Sequence, residues 1–173
     1  MQSRIFSLTA LVMLYAAGVQ AEIIMDGGEI NFTGRVVSQP CVVAPDSADI
    51  DVDMGRISKQ DLLQNGKSQT KNFSIRLTNC NTSTVQSVRV TFSGNEDSKL
   101  PGRLDITGDA DGAAIRLLNQ DGSAIIINNP AQGIPLNDGE NTLNFGAYLE
   151  AQPATELVTG NYAASANFIL SYQ

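Results

Sequence analysis

Apolar and polar residues alternate in short runs along most of this chain. Ile30, Phe32, Gly34 and Val36 share one face of a two-residue repeat, and the repeat returns more weakly in Asp49–Met54, with Ile50, Val52 and Met54 together. Phe73, Ile75 and Leu77 alternate and run straight into Cys80. Further on, Val88, Val90 and Phe92 share a side, Ile115 and Leu117 share a side ahead of the turn-rich Asn119–Gly122, and Leu143 and Phe145 open a run to Leu149. The last run, Tyr162–Tyr172, places Tyr162, Ala164, Ala166, Phe168, Leu170 and Tyr172 on one face. A period of two is the signature of a strand, whose successive side chains point to opposite faces. Each run is rich in β-formers and bounded by Gly, Asn, Asp or Pro. Only residues 58–64 suggest a turn of helix, and Gly94–Gly112 and Asn128–Glu140 read as long polar loops. Several evenly spaced strands in one domain predict an antiparallel sandwich or barrel.

The start of the chain follows a different pattern. Arg4 precedes a mostly apolar, uncharged stretch from Ile5 to Gly18, and Val19-Gln20-Ala21 offers a small–x–small cleavage site. These are the three parts of a secretory signal peptide; the apolar stretch is shorter than the roughly 20 residues a membrane-spanning helix needs. Residues 1–21 are therefore expected to be removed, leaving Glu22–Gln173, one domain's worth of chain. The removed segment holds one basic and no acidic residue, so the net charge moves from −7 to −8. A surface of that sign argues against nucleic acid and anionic lipid as partners.

Export also bears on the two cysteines, Cys41 and Cys80. An oxidising compartment permits a disulfide, and two cysteines allow one internal pairing; the other arrangement is two free buried thiols. A bridge closing this loop would stabilise the fold by roughly 4 kcal/mol in the chain-entropy account. The composition excludes much chemistry. With no histidine in the sequence, the commonest general base and transition-metal ligand are missing, and a histidine-dependent serine or cysteine nucleophile is ruled out. Asp49, Asp51 and Asp53 fall on one strand face, but paired-carboxylate glycoside chemistry needs a cleft with aromatic platforms, and the chain has no Trp; they read as a solvated face. Asp105, Asp109 and Asp111 resemble a calcium loop faintly, without its twelve-position pattern or closing Glu. No cofactor, metal site or catalytic group is expected.

The two ends carry the most specific information. Gly-Gly-Glu-Ile-Asn-Phe-Thr-Gly-Arg-Val-Val (27–37) leads into Cys41, Cys80 follows at the right spacing, Asn-Phe-Gly-Ala-Tyr occupies 144–148, Gly160 stands fourteenth from the end, and the chain stops at Tyr172-Gln173. In these features, taken in order after a signal peptide, the chain resembles type 1-like fimbrial subunits of the chaperone–usher pathway, most closely major shaft pilins. The resemblance implies an all-β, incomplete immunoglobulin-like sandwich of six strands whose seventh is supplied in trans. It also implies strand addition at an exposed sheet edge as the mode of assembly. Residues 22–37 would be a donor-strand extension and 38–173 the pilin domain. Ile24, Ile30, Phe32 and Val36 would enter a neighbour's groove, with Gly34 among them where backbones approach closely. Gly160, Tyr162, Phe168, Leu170 and Tyr172 would form this chain's own groove strand, with the Gln173 carboxylate held first by a periplasmic chaperone. Cys41–Cys80 would tie the first strand region to the end of the third. The implied partners are other pilin subunits, that chaperone and an outer-membrane usher, and the implied location is the extracellular fimbria.

Two other readings compete. A minor adaptor or tip pilin would share the same fold, and the Gly27-Gly28 extension favours a shaft subunit over it. A carbohydrate-binding adhesin pairs a lectin domain with a pilin domain and lacks a donor extension, which fits a one-domain chain with a donor-like start less well.

Overall fold

The computed structural model describes residues 29–34 and 39–173. The chain divides into two units, Met1–Val36 and Val37–Gln173. Of the first, residues 29–34 carry neither helix nor strand and are all exposed.

The second unit runs β1 (Val42–Val43), a 3-10 turn (Pro45–Ser47), α1 (Lys59–Asn65), β2 (Lys71–Cys80), β3 (Ser87–Gly94), β4 (Leu104–Asp105), β5 (Thr107–Gly108), β6 (Ala113–Asn119), β7 (Ala124–Ile125), β8 (Ile134–Pro135), β9 (Gly139–Ala151), β10 (Tyr162–Ala163) and β11 (Ala166–Tyr172). One sheet has the order β1-β2-β9-β6-β4, with β7 also on β6; a second has the order β11-β3-β8; β10 and β5 form a separate pair. All pairings are antiparallel.

Register follows the alternation. Phe73 lies opposite Phe145 and Ile75 opposite Leu143, Ile115 opposite Leu149 and Leu117 opposite Ala147, and Phe168, Leu170 and Tyr172 opposite Phe92, Val90 and Val88. A slip by one residue would turn each apolar set outward. The inward sets of both sheets form one buried cluster. Phe73, Phe92 and Phe145 join the sheets at its centre, with ring centroids 5.1–6.1 Å apart in the edge-on and tilted arrangements that suit aromatic quadrupoles.

The helical turn expected at 58–64 is α1. Ser58 caps it by accepting from the Asp61 backbone N–H at 3.3 Å, and Gly66 ends it in the left-handed region at φ +72°, where a glycine carries no Cβ penalty. The run Asp49–Met54 departs from expectation. Ile50, Val52 and Met54 are half-buried and the three aspartates exposed, but no strand pairs with them among the described residues. The cause lies just before. Ala44 makes the last backbone bond to the β2 edge, to the Arg76 carbonyl at 2.9 Å. Pro45 then has no N–H to offer, and the buried Ser47 hydroxyl takes the next β2 donor, Arg76 N–H, at 2.9 Å. The chain thus leaves β2 and continues without a ladder. The C-terminal run also differs from one continuous strand. It pairs with β5 at 162–163, breaks at Ala164–Ser165, and pairs with β3 from Ala166. Of the two long loops, residues 94–112 hold β4 and β5, and residues 128–140 hold β8 and the start of β9.

Candidate functional site

The strand order leaves one consequence at the second sheet. β3 is paired on both edges, by β11 and by β8 together with the bridge from Thr91 to Pro130. β11 is paired on one edge, and its other edge has no partner among the described residues. An open edge of this kind is a template for another strand.

A groove runs beside the entry to that strand. It has a cavity volume of about 1150 Å³. Ile50, Val52 and Met54 form one wall, Gly160, Tyr162, Ala164 and Phe168 the other, and core residues such as Phe73, Ile75, Phe92, Ile115 and Leu149 the floor. The side chains that should complete a sandwich core therefore face a channel that no strand among the described residues fills. Its two walls are the segment without a ladder and the C-terminal run that changes partners.

Each expected site residue has a definite place. Gly160, Tyr162 and Phe168 line the groove. Leu170 and Tyr172 lie further along β11, packed on the core, and burial pushes the Tyr172 phenol above its ordinary range. Gln173 continues the ladder: its N–H donates to the Ser87 carbonyl at 2.9 Å, and its own carbonyl oxygen accepts from Gln86 and Ser87 N–H at 2.8 and 3.0 Å. Cys41 and Cys80 are joined in a buried disulfide. Ile30 and Phe32 are 75% and 91% exposed, and Gly34 is exposed as well. Ile24 and Val36 lie outside the described residues.

Gly160 is fixed by a close approach. A Cβ there would stand 2.6 Å from the Asp109 Cβ, 2.7 Å from its carbonyl carbon and 2.8 Å from Ala110 N, all backbone or near-backbone atoms that cannot swing aside. Gly160→Ala should therefore push the 157–164 wall away from β5 and destabilise the domain by about 1–3 kcal/mol. A thermal melt checks this; an unchanged midpoint would show that the wall yields freely.

The carboxylates do not assemble a centre. Asp53 accepts from the Gly55 N–H at 2.8 Å and Asp111 from the Gly112 N–H at 2.7 Å. Among the described residues no three potential ligands are grouped to hold a metal ion. Glu150 is engaged by two guanidinium groups, Arg103 through Nε at 3.0 Å and Nη2 at 3.1 Å and Arg116 at 3.3 Å. Arg103 chiefly, and then Arg116, hold its carboxyl below the usual range.

Several residues of the site were not legible in the pattern. Leu104, Ile106 and Leu157 line the groove but stand in runs too short to show a period. The Tyr162 hydroxyl is another case: buried, with no hydrogen-bond partner among the described residues. Its phenol is pushed up by burial and, secondarily, by the Asp53 charge.

Comparison with known proteins bears on this geometry. Residues 30–173 match the sequence family described as "Fimbrial protein". The Fimbria A protein of Serratia marcescens is 41% identical over 147 residues, 84% of each chain. The fimbrial adapter PapK of Escherichia coli is 35% identical over 176 residues, covering 95% of this chain and 98% of its own. Among solved structures, the P pilus rod subunit PapA superposes with a TM-score of 0.69 at 28% identity, over 78% of this chain and 100% of its own.

Proposed function

Because this chain belongs to the fimbrial protein family, we propose that it is a structural subunit of an adhesive surface fimbria. It is captured by a periplasmic chaperone, passed to the outer-membrane usher, and polymerised there by donor-strand exchange. Residues 1–21 direct export, 22–37 are the donor strand and 38–173 the recipient domain. The observation that carries this reading is the pairing of a groove floored by core residues, beside a strand edge with no partner among the described residues, with an exposed segment whose apolar residues alternate, Ile30 and Phe32.

The two surfaces match in form. An added strand gains affinity from backbone bonds to the edge and specificity from alternate side chains entering the groove. Burying Ile24, Ile30, Phe32 and Val36 would contribute roughly 6–12 kcal/mol at about 1.5–3 kcal/mol each, before the cost of ordering the segment. The place in the fibre is the shaft rather than the tip. Gly27-Gly28 give the extension the length that favours a shaft subunit.

The test is a peptide of residues 22–37 added to the dilute mature chain. At a hundredfold excess over its dissociation constant, a ligand that binds only the folded state adds about 2.7 kcal/mol, and the melting midpoint should rise by about 5–10 °C. A scrambled peptide should leave it unchanged. No response to the native sequence would sink the proposal.

A further inference from the structure

The groove is floored by core residues, but its lining also carries charge. Asp49, Asp51, Asp53 and Asp111 line it, together with Arg56 and Lys59. All six are exposed. Among the described residues none of the four carboxylates is ion-paired: the pairs there join Arg76 to Asp46, and Arg103 and Arg116 to Glu150. Asp53 and Asp111 accept only backbone N–H groups, from Gly55 and Gly112. The field of this wall reaches across the groove. The Tyr162 phenol on the other side is raised chiefly by burial and then by the Asp53 charge. The segment expected to enter has the same sign. Residues 22–37 hold Glu22, Asp26 and Glu29 against one cation, Arg35. By alternation Asp26 shares a face with Ile24 and Ile30. The α-amino group that cleavage would create at Glu22 offsets at most one of these charges. The rest of the recipient adds to the mismatch, because residues 38–173 hold nine basic and fifteen acidic residues.

We propose that like charge between the groove's acidic rim and the acidic extension of a second copy holds back strand insertion, so that assembly of this chain is slow in dilute salt and quickens as salt rises. This rests on the reading that residues 22–37 of another copy fill the groove. Partners of opposite charge are steered together, and salt slows them; partners of like charge show the reverse. The Debye length is about 30 Å at 0.01 M salt and about 8 Å at 0.15 M. In dilute salt the rim therefore acts on a strand before it touches, and at higher salt only near contact. Copies that meet by chance would be held apart by this field. A carrier that holds two copies side by side raises their effective concentration and so offsets the slow encounter.

The test is the association rate of a labelled 22–37 peptide with the dilute mature chain. The peptide is acetylated and amidated, so that only its side chains carry charge. The rate should rise on the order of three- to tenfold between about 10 mM and about 300 mM sodium chloride. A peptide carrying Asp26→Asn and Glu29→Gln, with Glu22 and Arg35 left in balance, should bind faster than the parent peptide in dilute salt and respond little to added salt. On the recipient, Asp49→Asn with Asp51→Asn should speed the parent peptide in dilute salt. Asp121→Asn with Glu140→Gln removes the same charge away from the groove and should speed it less. All four positions are exposed, and the peptide substitutions test the same charge without touching the recipient's fold. A parental rate that is flat or falls with salt, or a rim variant no faster than the distal one, would overturn the proposal. Failure of the parent peptide to bind at any salt concentration would instead count against the donor-strand reading beneath it.

Discussion

A mature chain carrying Phe32→Arg should fold normally and fail to extend a fibre. Phe32 is 91% exposed in its own chain, so its own domain loses almost nothing. As a donor, the variant loses about 1.5–3 kcal/mol of side-chain burial and must desolvate a guanidinium against the groove's apolar floor, which costs roughly 1–3 kcal/mol more. Together these correspond to insertion weaker by roughly a hundredfold or more. Size-exclusion chromatography and electron microscopy of the purified chain would show monomers or short ends where the parent forms polymers. Phe32→Leu keeps the apolar volume roughly and should polymerise nearly as the parent does. The variant also keeps its own groove open, so it should still accept a parental 22–37 peptide. Polymers of normal length from Phe32→Arg would mean that the stripe at 30–36 is not what joins the subunits.

The second large effect is expected from the disulfide. Cys41 and Cys80 are buried and separated by 39 residues, and the loop between them holds β1, the 3-10 turn, α1 and most of β2. Cross-linking a loop of that size removes unfolded-state entropy worth about 4 kcal/mol. A Cys41→Ala, Cys80→Ala double variant, or the parent chain under reductant, should therefore melt about 10–15 °C lower. The wall formed by Ile50, Val52 and Met54 has no strand ladder of its own, so it should loosen first. Hydrogen exchange would report that as faster labelling across residues 49–57 than across β9. An unchanged midpoint would show that the β1–β2 pairing and the core hold the loop without the bridge.

Much of the architecture could be read from the alternation, and the reasons are local. Ile75 and Leu77 with the half-buried Phe73, then Val88, Val90 and Phe92, then Leu143, Phe145 and Leu149, are inward sets on long strands, where a period of two has room to appear. The short strands β4, β5, β7 and β8 have two residues each. Such a strand has no period, so a loop was the natural reading for 94–112. Residues 49–54 show the converse. Their alternation is genuine, with Ile50 and Met54 packed against the core and Val52 half-buried along the groove, but alternation reports which side a residue faces, not whether a backbone lies alongside. The break at Ala164–Ser165 is invisible for the same reason: Tyr162 and Phe168 keep one facing while the strand changes partners. The groove was implied by family resemblance alone, since it is a property of two walls and an empty space between them. The unpaired Tyr162 hydroxyl has no trace in the sequence, because a tyrosine reads the same whether its oxygen is bonded or not.

The disulfide has a mechanical meaning as well as a thermodynamic one. In a fibre built by the proposed exchange, a pull on the shaft enters each subunit through the segment ahead of Cys41. At Cys41 the covalent bridge passes the load directly to the end of β2, whose long ladder with β9 runs from Lys71 to Cys80. Residues 42–70, α1 and the unladdered groove wall among them, lie off the load path. Tension on the organelle would then be carried by backbone ladders in the central sheet. The part of the subunit least able to resist extension, which is also the part that shapes the groove, stays slack while its neighbours are stretched.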